Sequence, residues 1–228
     1  MVGPMSDFVE IPRDFLAAIA TDHERIPTLY FSGNPAIRRV FWQRLRRVFE
    51  LARRHGAPHR RVLDFGGGGG VLLPTLSGLF ERVASIDLVT TEAARVVAHY
   101  GLGNVTLIQG DALAADLDEA PFDAIVAADV LEHFRDLDAP VSCLARWLCT
   151  DGVLITSLPT ENALYAALRL ACGVEKPEDH YHTAHDVERY LLARGFVAVR
   201  RTHVPFRFAP LYRVTAWRGP RIAAAATR

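Results

Sequence analysis

Five consecutive glycines, residues 66–70, follow directly on the apolar, acid-bearing run Val62-Leu63-Asp64-Phe65. Such a stretch has no Cβ atoms, so its backbone can reach positive φ and approach another group closely. It lies where a strand-like run gives way to a helical one. In an open α/β sheet, that carboxyl-end crevice is where ligands bind. A flexible hinge is the plain alternative. A dinucleotide fingerprint requires Gly or Ala at the sixth position of G-x-G-x-x-G, which is Val71 counted from Gly66 and Leu72 counted from Gly67. Neither frame fits. Asp64 stands two residues before the first glycine. A carboxylate there repels a pyrophosphate but can organise a cationic, phosphate-free ligand, and a branched side chain at Gly68 is expected to stand against that ligand.

The rest of the chain alternates. Strand-like runs occur at 61–65, 82–87, 105–110, 122–129 and 152–158, with helical stretches at 70–79, 90–100, briefly after Asp111, and at 138–148. Continuous β-branched strands separated by helices predict a parallel sheet covered on both faces. Ahead of them, Ile37, Val40, Phe41, Leu45, Val48, Phe49 and Leu51 recur at helical spacing between Pro35 and His55. Seven arginines fill the gaps, namely Arg38, Arg39, Arg44, Arg46, Arg47, Arg53 and Arg54, and Gly56 and Pro58 end the helix. After Leu158 the pattern predicts helices at 160–173 and 184–194. Strands at 196–203 and 211–217 then form an antiparallel hairpin at the sheet edge. A single domain is expected, with a helical cap segment at 1–58, a ligand-binding core at 59–158 and an insert at 159–185. A helix and strand pair follow at 186–217, and an alanine-rich, frayed tail at 218–228.

Lys and Arg together equal Asp and Glu at 26 each, so no overall field recruits nucleic acid or an anionic membrane. Cys143, Cys149 and Cys172 have no paired spacing, which suits reduced thiols in the cytoplasm. No apolar window is long enough to span a membrane, and the N-terminus lacks the pattern of a secretory signal.

The segment from Asp64 to Gly70 resembles the first motif, D/E-x-G-x-G-x-G, of class I S-adenosylmethionine-dependent methyltransferases, with Gly67 and Gly69 where relatives often carry Cys and Thr or Ser. The likeness runs over residues 61–158, more loosely beyond. It implies the Rossmann-like seven-stranded sheet, with five parallel strands and a C-terminal antiparallel pair, and S-adenosylmethionine as cofactor. It implies contact by Asp64, Phe65, Gly66, Gly67, Gly68 and Gly70. It puts Asp87, with Leu88 beside it, on the two ribose hydroxyls, which suits a carboxylate's paired acceptors. Gly110, Asp111 and Ala112 are implied near the adenine. Residues 121–134, PFDAIVAADVLEHF, resemble the fourth-strand motif of the branch that includes quinone-biosynthesis enzymes, and imply Asp129 and Val130 at the methionine end. Helix N-caps remain the plain alternative for Asp87 and Asp111.

The acceptor side rests on the insert, where His180, His182 and His185 fall within six residues. Their ordinary pKa lies near neutrality. His180 or His182 can serve as base or acceptor-orienting group, and His133 in the Leu-Glu-His turn is a further catalytic candidate. The same histidines can be structural, bonding backbone or carboxylates such as Asp179 and Asp186. They can also form a metal site with Glu161, though the spacing matches no strong zinc template and no metal is expected. Glu161 and Asn162 are pocket residues or caps; Tyr30, Phe31 and Trp42 are pocket or core. The expected activity is methyl transfer to oxygen or nitrogen of a small, possibly hydrophobic acceptor. An RNA methyltransferase using the arginine-rich helix, and a non-catalytic cofactor-binding partner subunit, are the alternatives. Oligomeric state is not readable from the sequence.

Overall fold

The computed structural model describes residues 7–21, 25–115, 117–162, 164–165 and 180–220. Two helices precede the sheet, α1 (Arg13–Ile19) and α2 (Pro35–His55). Pro35 occupies the first turn of α2, where its missing N–H costs nothing, and the Asn34 side chain accepts from the Ala36 amide. The sheet then alternates with helices in chain order: β1 (Arg61–Phe65), α3 (Leu73–Leu79), β2 (Arg82–Asp87), α4 (Thr91–Tyr100), β3 (Val105–Gln109), β4 (Phe122–Ala128), α5 (Asp138–Trp147) and β5 (Leu148–Pro159). The helix α6 (Ala184–Ala193) leads into β6 (Val197–Pro205) and β7 (Pro210–Arg218).

The seven strands lie in the order β3-β2-β1-β4-β5-β7-β6. Strands β1 to β5 are mutually parallel, while β7 runs antiparallel to both β5 and β6. The order reverses between β1 and β4, which opens a crevice at their carboxyl ends.

Neighbouring residues of one strand feed opposite cores, as the twofold strand period requires. Val62 and Val126 pack with Leu16, Leu45, Leu76 and Val96 under α1 to α4. Leu63, Phe65 and Ile125 pack with Leu144, Leu191 and Trp217 under α5 and α6. All but Leu45 are fully buried, worth about 1.5–3 kcal/mol for each large side chain. Helix α6 is also pinned by charge. Its buried Glu188 accepts from Arg201 Nε at 3.1 Å, Arg213 Nη1 at 2.8 Å and Thr215 Oγ1 at 3.0 Å.

From α2 onward the strand and helix order follows the expectation, and three differences stand out. The stretch after Asp111 is a turn and not a helix: the Asp111 carboxylate accepts from the Leu113 amide at 2.9 Å, and its carbonyl from the Ala114 amide at 3.1 Å. Helix α3 begins at Leu73 instead of residue 70, because the Leu73 amide still closes a turn on the Gly70 carbonyl. Strand β5 starts at Leu148, which pairs with Phe122 before a shift in register. The helix expected at 160–173 lies outside the described residues except at Leu164 and Tyr165, which are helical, and residues 221–228 of the tail, Asp179 and Cys172 lie outside them altogether. Among the described residues, no helix is long and apolar enough to cross a membrane.

Candidate active site

Four acids lie at or just beyond the carboxyl ends of four adjacent strands. Asp64 lies within β1, Asp87 closes β2, Asp129 follows β4 and Glu161 follows β5. Asp129 (φ 53°) and Glu161 (φ 49°) are both held in the left-handed region, which is costly outside glycine and concentrates at functional sites.

The glycine bend is shaped by the protein's own groups. Gly66 has φ 70°, and a Cβ there would come within 2.8 Å of Val130 Cβ. Gly68 has φ 53°, and its Cβ would stand 3.0 Å from the Arg25 carbonyl oxygen. A branched residue at Gly68 therefore also crowds the chain entering from residue 25, a steric cost beside the ligand contact that the sequence predicts. The side chain of Ile26, fully buried, fills the space over Gly69, whose amide donates to the Arg25 carbonyl at 3.0 Å.

Asp64 is buried against the bend, and burial first, then the neighbouring Asp87 charge, push its carboxyl up to about 7. Asp87 Oδ2 accepts from the Gly68 amide at 2.8 Å, and Oδ1 is paired with Arg25. Gly110, at φ 152° with open space where a Cβ would be, donates its amide to the Asp87 carbonyl at 2.9 Å. Leu88 is 60 % exposed, Asp111 is exposed and Ala112 half-buried.

Arg25, Pro27, Tyr30, Arg44, Asp64, Gly66, Gly67, Gly68, Ala128 and Asp129 line a cleft of about 100 Å³. On its far wall Arg44, from α2, is buried, forms an ion pair with Asp129 and donates to the Tyr30 hydroxyl. Its guanidinium carbon lies 4.8 Å from the Tyr212 ring centre and 5.4 Å from that of Phe41. The Tyr212 and Tyr165 hydroxyls are 2.9 Å apart, and burial, joined by Tyr165, pushes the Tyr212 hydroxyl well above the usual phenol range.

None of the three predicted histidines is among the residues lining this cleft. His133 follows β4 on the short turn Leu131–His133 and meets His180 edge to face, ring centres 4.8 Å apart. His180 Nδ1 lies 3.2 Å from Glu161 Oε1. Glu132, fully buried, joins the group: one ligand-type atom each of Glu132, His133 and His180 lie within 4.8 Å of one another. His182 instead contacts the Arg135 carbonyl at 3.3 Å, and Asp186 closes a capping box with Thr183. Asn162 is a cap, accepting from the Tyr165 amide at 2.8 Å. Tyr30 lines the cleft, whereas Trp42 is core and donates to the Tyr30 carbonyl.

The sequence reading missed Arg25 and Arg44. Arg44 carried a signal: Phe41, Arg44, Leu45 and Val48 share the apolar face of α2, so a charged residue there had to be buried. Arg25 carried none, since its place depends on a tertiary crossing.

A methyltransferase-domain family model matches residues 36–201. A ubiquinone biosynthesis O-methyltransferase of Xylella fastidiosa (strain M23) is 36% identical over 131 residues, 55% of this chain and 51% of that protein. A protein-L-isoaspartate O-methyltransferase of Paracoccus denitrificans (strain Pd 1222) is 31% identical over 119 residues, 51% of this chain and 52% of that protein. The chain thus matches about half the length of these curated relatives. Magnesium protoporphyrin IX methyltransferase from Synechocystis PCC 6803, solved with bound S-adenosylhomocysteine, superposes with a TM-score of 0.67 at 21% identity, covering 91% of this chain and 97% of that one. The N-methyltransferase NodS from Bradyrhizobium japonicum WM9 superposes with a TM-score of 0.64 at 20% identity, covering 91% and 97%. At those identities the likeness is one of fold.

Proposed function

Because this chain belongs to the S-adenosylmethionine-dependent methyltransferase-domain family, we propose that it transfers a methyl group to an oxygen or nitrogen of a small-molecule acceptor in the cytoplasm. The observation that carries the reading is the convergence of Asp64, Asp87 and Asp129 on one glycine bend at the switch point of the sheet. Carboxylates suit hydroxyl donors and cationic groups and oppose a pyrophosphate, so this set of acceptors fits an adenosyl sulfonium compound. In this reading Asp87 takes the ribose hydroxyls, exposed Leu88 covers the adenine, and Gly110, Asp111 and Ala112 edge it. Phe65, Gly66, Gly67, Gly68 and Gly70 form the floor, and Asp129 and Val130 border the methionine end.

The cofactor supplies a methyl group on a positively charged sulfur that is its own leaving group. The protein has to hold an acceptor in line and exclude water. The cleft of about 100 Å³ is smaller than ligand pockets of roughly 300–1,000 Å³. Arg25, already on Asp87, therefore has to swing aside for the ribose to reach that carboxylate. His180, with Glu161 and His133 against it, is assigned the handling of an acceptor proton. His182, turned to the Arg135 carbonyl, is assigned a structural part.

Five of the seven arginines of α2 are engaged within the molecule, which speaks against a nucleic-acid acceptor. Arg38 donates to the Ser32 carbonyl, Arg44 is buried on Asp129, Arg47 pairs with Glu50, and Arg46 and Arg53 lie over Phe8 and Phe49.

Isothermal titration tests the reading: S-adenosylhomocysteine should bind with one site per chain while nicotinamide and flavin dinucleotides should not. Methyl transfer should then appear with a panel of small-molecule acceptors. Saturation with a dinucleotide instead would overturn it.

A further inference from the structure

We infer that the turn joining β6 and β7 is a membrane-docking tip, which seats the Phe206 and Phe208 rings in an anionic lipid bilayer. The inference goes beyond the methyl-transfer reading and does not depend on it.

The tip is short and held at its base. Pro205 pairs with Pro210 across the hairpin, and neither ring nitrogen has a hydrogen to donate, so the ladder ends there. Thr160 Oγ1 and Asn162 Nδ2 donate to the Pro210 carbonyl at 2.8 Å and 2.7 Å, which ties the turn to the segment following β5. Beyond this base the chain reads Phe206-Arg207-Phe208. The two rings are stacked, with centres 5.4 Å apart and planes 1° from parallel. Yet Phe208 is 87% exposed and Phe206 57%. Every other phenylalanine of the chain is buried or half-buried, so this pair marks a contact surface.

The charges around the rings select the partner. Burial first, then the charges of Arg213, Arg201 and Arg207, hold the His203 imidazole below its usual range, so three guanidinium groups gather at the base of the tip. Glu188 answers Arg201 and Arg213. Arg207, exposed between the two rings, forms no ion pair among the described residues. A second aromatic repeats the pattern at the same end of the sheet. Tyr181 is 42% exposed under the guanidinium of exposed Arg135, 4.8 Å from its ring centre, and its amide donates to the Glu132 carbonyl past β4. The surface of an anionic bilayer accommodates this mixture, with rings at the acyl boundary and guanidinium groups on phosphate. A protein partner needs roughly 800 Å² of matching surface on each side, which a tip of two rings does not offer. The chain as a whole is neutral, so the attraction is local to the tip. The tip stands past the carboxyl end of β5, where Pro159 pairs with Tyr212. Docking therefore turns the edge of the sheet that carries the cleft toward the lipid.

The test is sedimentation of the full chain with vesicles in the absence of cofactor, which keeps its outcome separate from that of the methyl-transfer reading. The chain should pellet with phosphatidylcholine vesicles containing about one third phosphatidylglycerol, and bind phosphatidylcholine alone about fivefold or more weakly. Replacing both rings, Phe206→Ser together with Phe208→Ser, should lower the affinity about tenfold or more while Tm stays as in the wild type. Arg207→Gln should lower it about fivefold, and added salt should weaken the wild type in the same direction. Phe208→Trp should bind as the wild type does, with its emission quenched by bromine placed on the acyl chains. Absence of the wild type from the anionic pellet, or binding unchanged by the double substitution, overturns the inference. So does a dimer in analytical ultracentrifugation that the double substitution dissolves, because the rings then cover a second copy of the chain.

Discussion

Arg25 and Asp87, 62 residues apart in the chain, form an ion pair across the mouth of the glycine bend. Asp87 spends its second oxygen on the Gly68 amide, so both of its acceptors are engaged within the protein. A ligand hydroxyl can reach this carboxylate only in competition with Arg25. Arg25→Ala is accordingly expected to tighten S-adenosylhomocysteine binding several-fold and to reduce its dependence on salt. Calorimetry at two ionic strengths measures this, and weaker binding would mean that Arg25 contacts the ligand directly.

Asp87→Ala removes the carboxylate itself. Hydrogen bonds to a charged group contribute about 1.5–3 kcal/mol each, so affinity for S-adenosylhomocysteine should fall by roughly ten- to a hundred-fold. Thermal unfolding of the unliganded variant should change far less. An affinity within experimental error of the wild type would remove Asp87 from the site.

Asp64 makes stability depend on pH. Its carboxyl titrates near 7 in the fold, against an ordinary 3.8, because it is buried and close to Asp87. Below pH 4 it is protonated in both folded and unfolded chains and contributes nothing. Between pH 4 and 7 the folded chain holds a proton that the unfolded chain has released, so stability falls as pH rises and levels off above 7. Each pH unit across that interval costs about 1.4 kcal/mol, giving a loss on the order of 4 kcal/mol at most. Asp64→Asn should flatten this part of the Tm profile. A wild-type profile that rises over the same interval would contradict the assignment.

His180 and His182 should separate kinetically. His180 faces Glu161 and His133, while His182 faces a backbone carbonyl. General-base roles typically contribute about a hundred-fold or more to rate. His180→Ala should therefore depress kcat with a neutral hydroxyl acceptor far more than His182→Ala does. Equal effects would reject the distinction.

Glu188→Ala should destabilise the fold without touching the cleft. It strips Arg201, Arg213 and Thr215 of a shared acceptor under the β6–β7 hairpin. The two arginines retain access to water, which moderates the cost to about 1.5–3 kcal/mol. Denaturant unfolding should register that loss while S-adenosylhomocysteine affinity persists.

The local chain was enough to dictate the order of elements, because strand and helix periods and glycine or proline punctuation are properties of neighbouring residues. Thus 61–65, 82–87 and Pro35–His55 are legible to the residue, and the acids at 64, 87 and 129 can be placed at strand ends from spacing alone. The short run after Asp111 reads as a helix because a carboxylate closing a turn and one capping a helix leave the same mark. Only the folded molecule decided what those acids face. Arg25 reaches Asp87, Arg44 reaches Asp129 and His180 reaches Glu161 through contacts between segments 19 to 85 residues apart. Periodicity is blind to such distances. The physical reason is that a buried charge is settled by whichever opposite charge the packed layers bring to it.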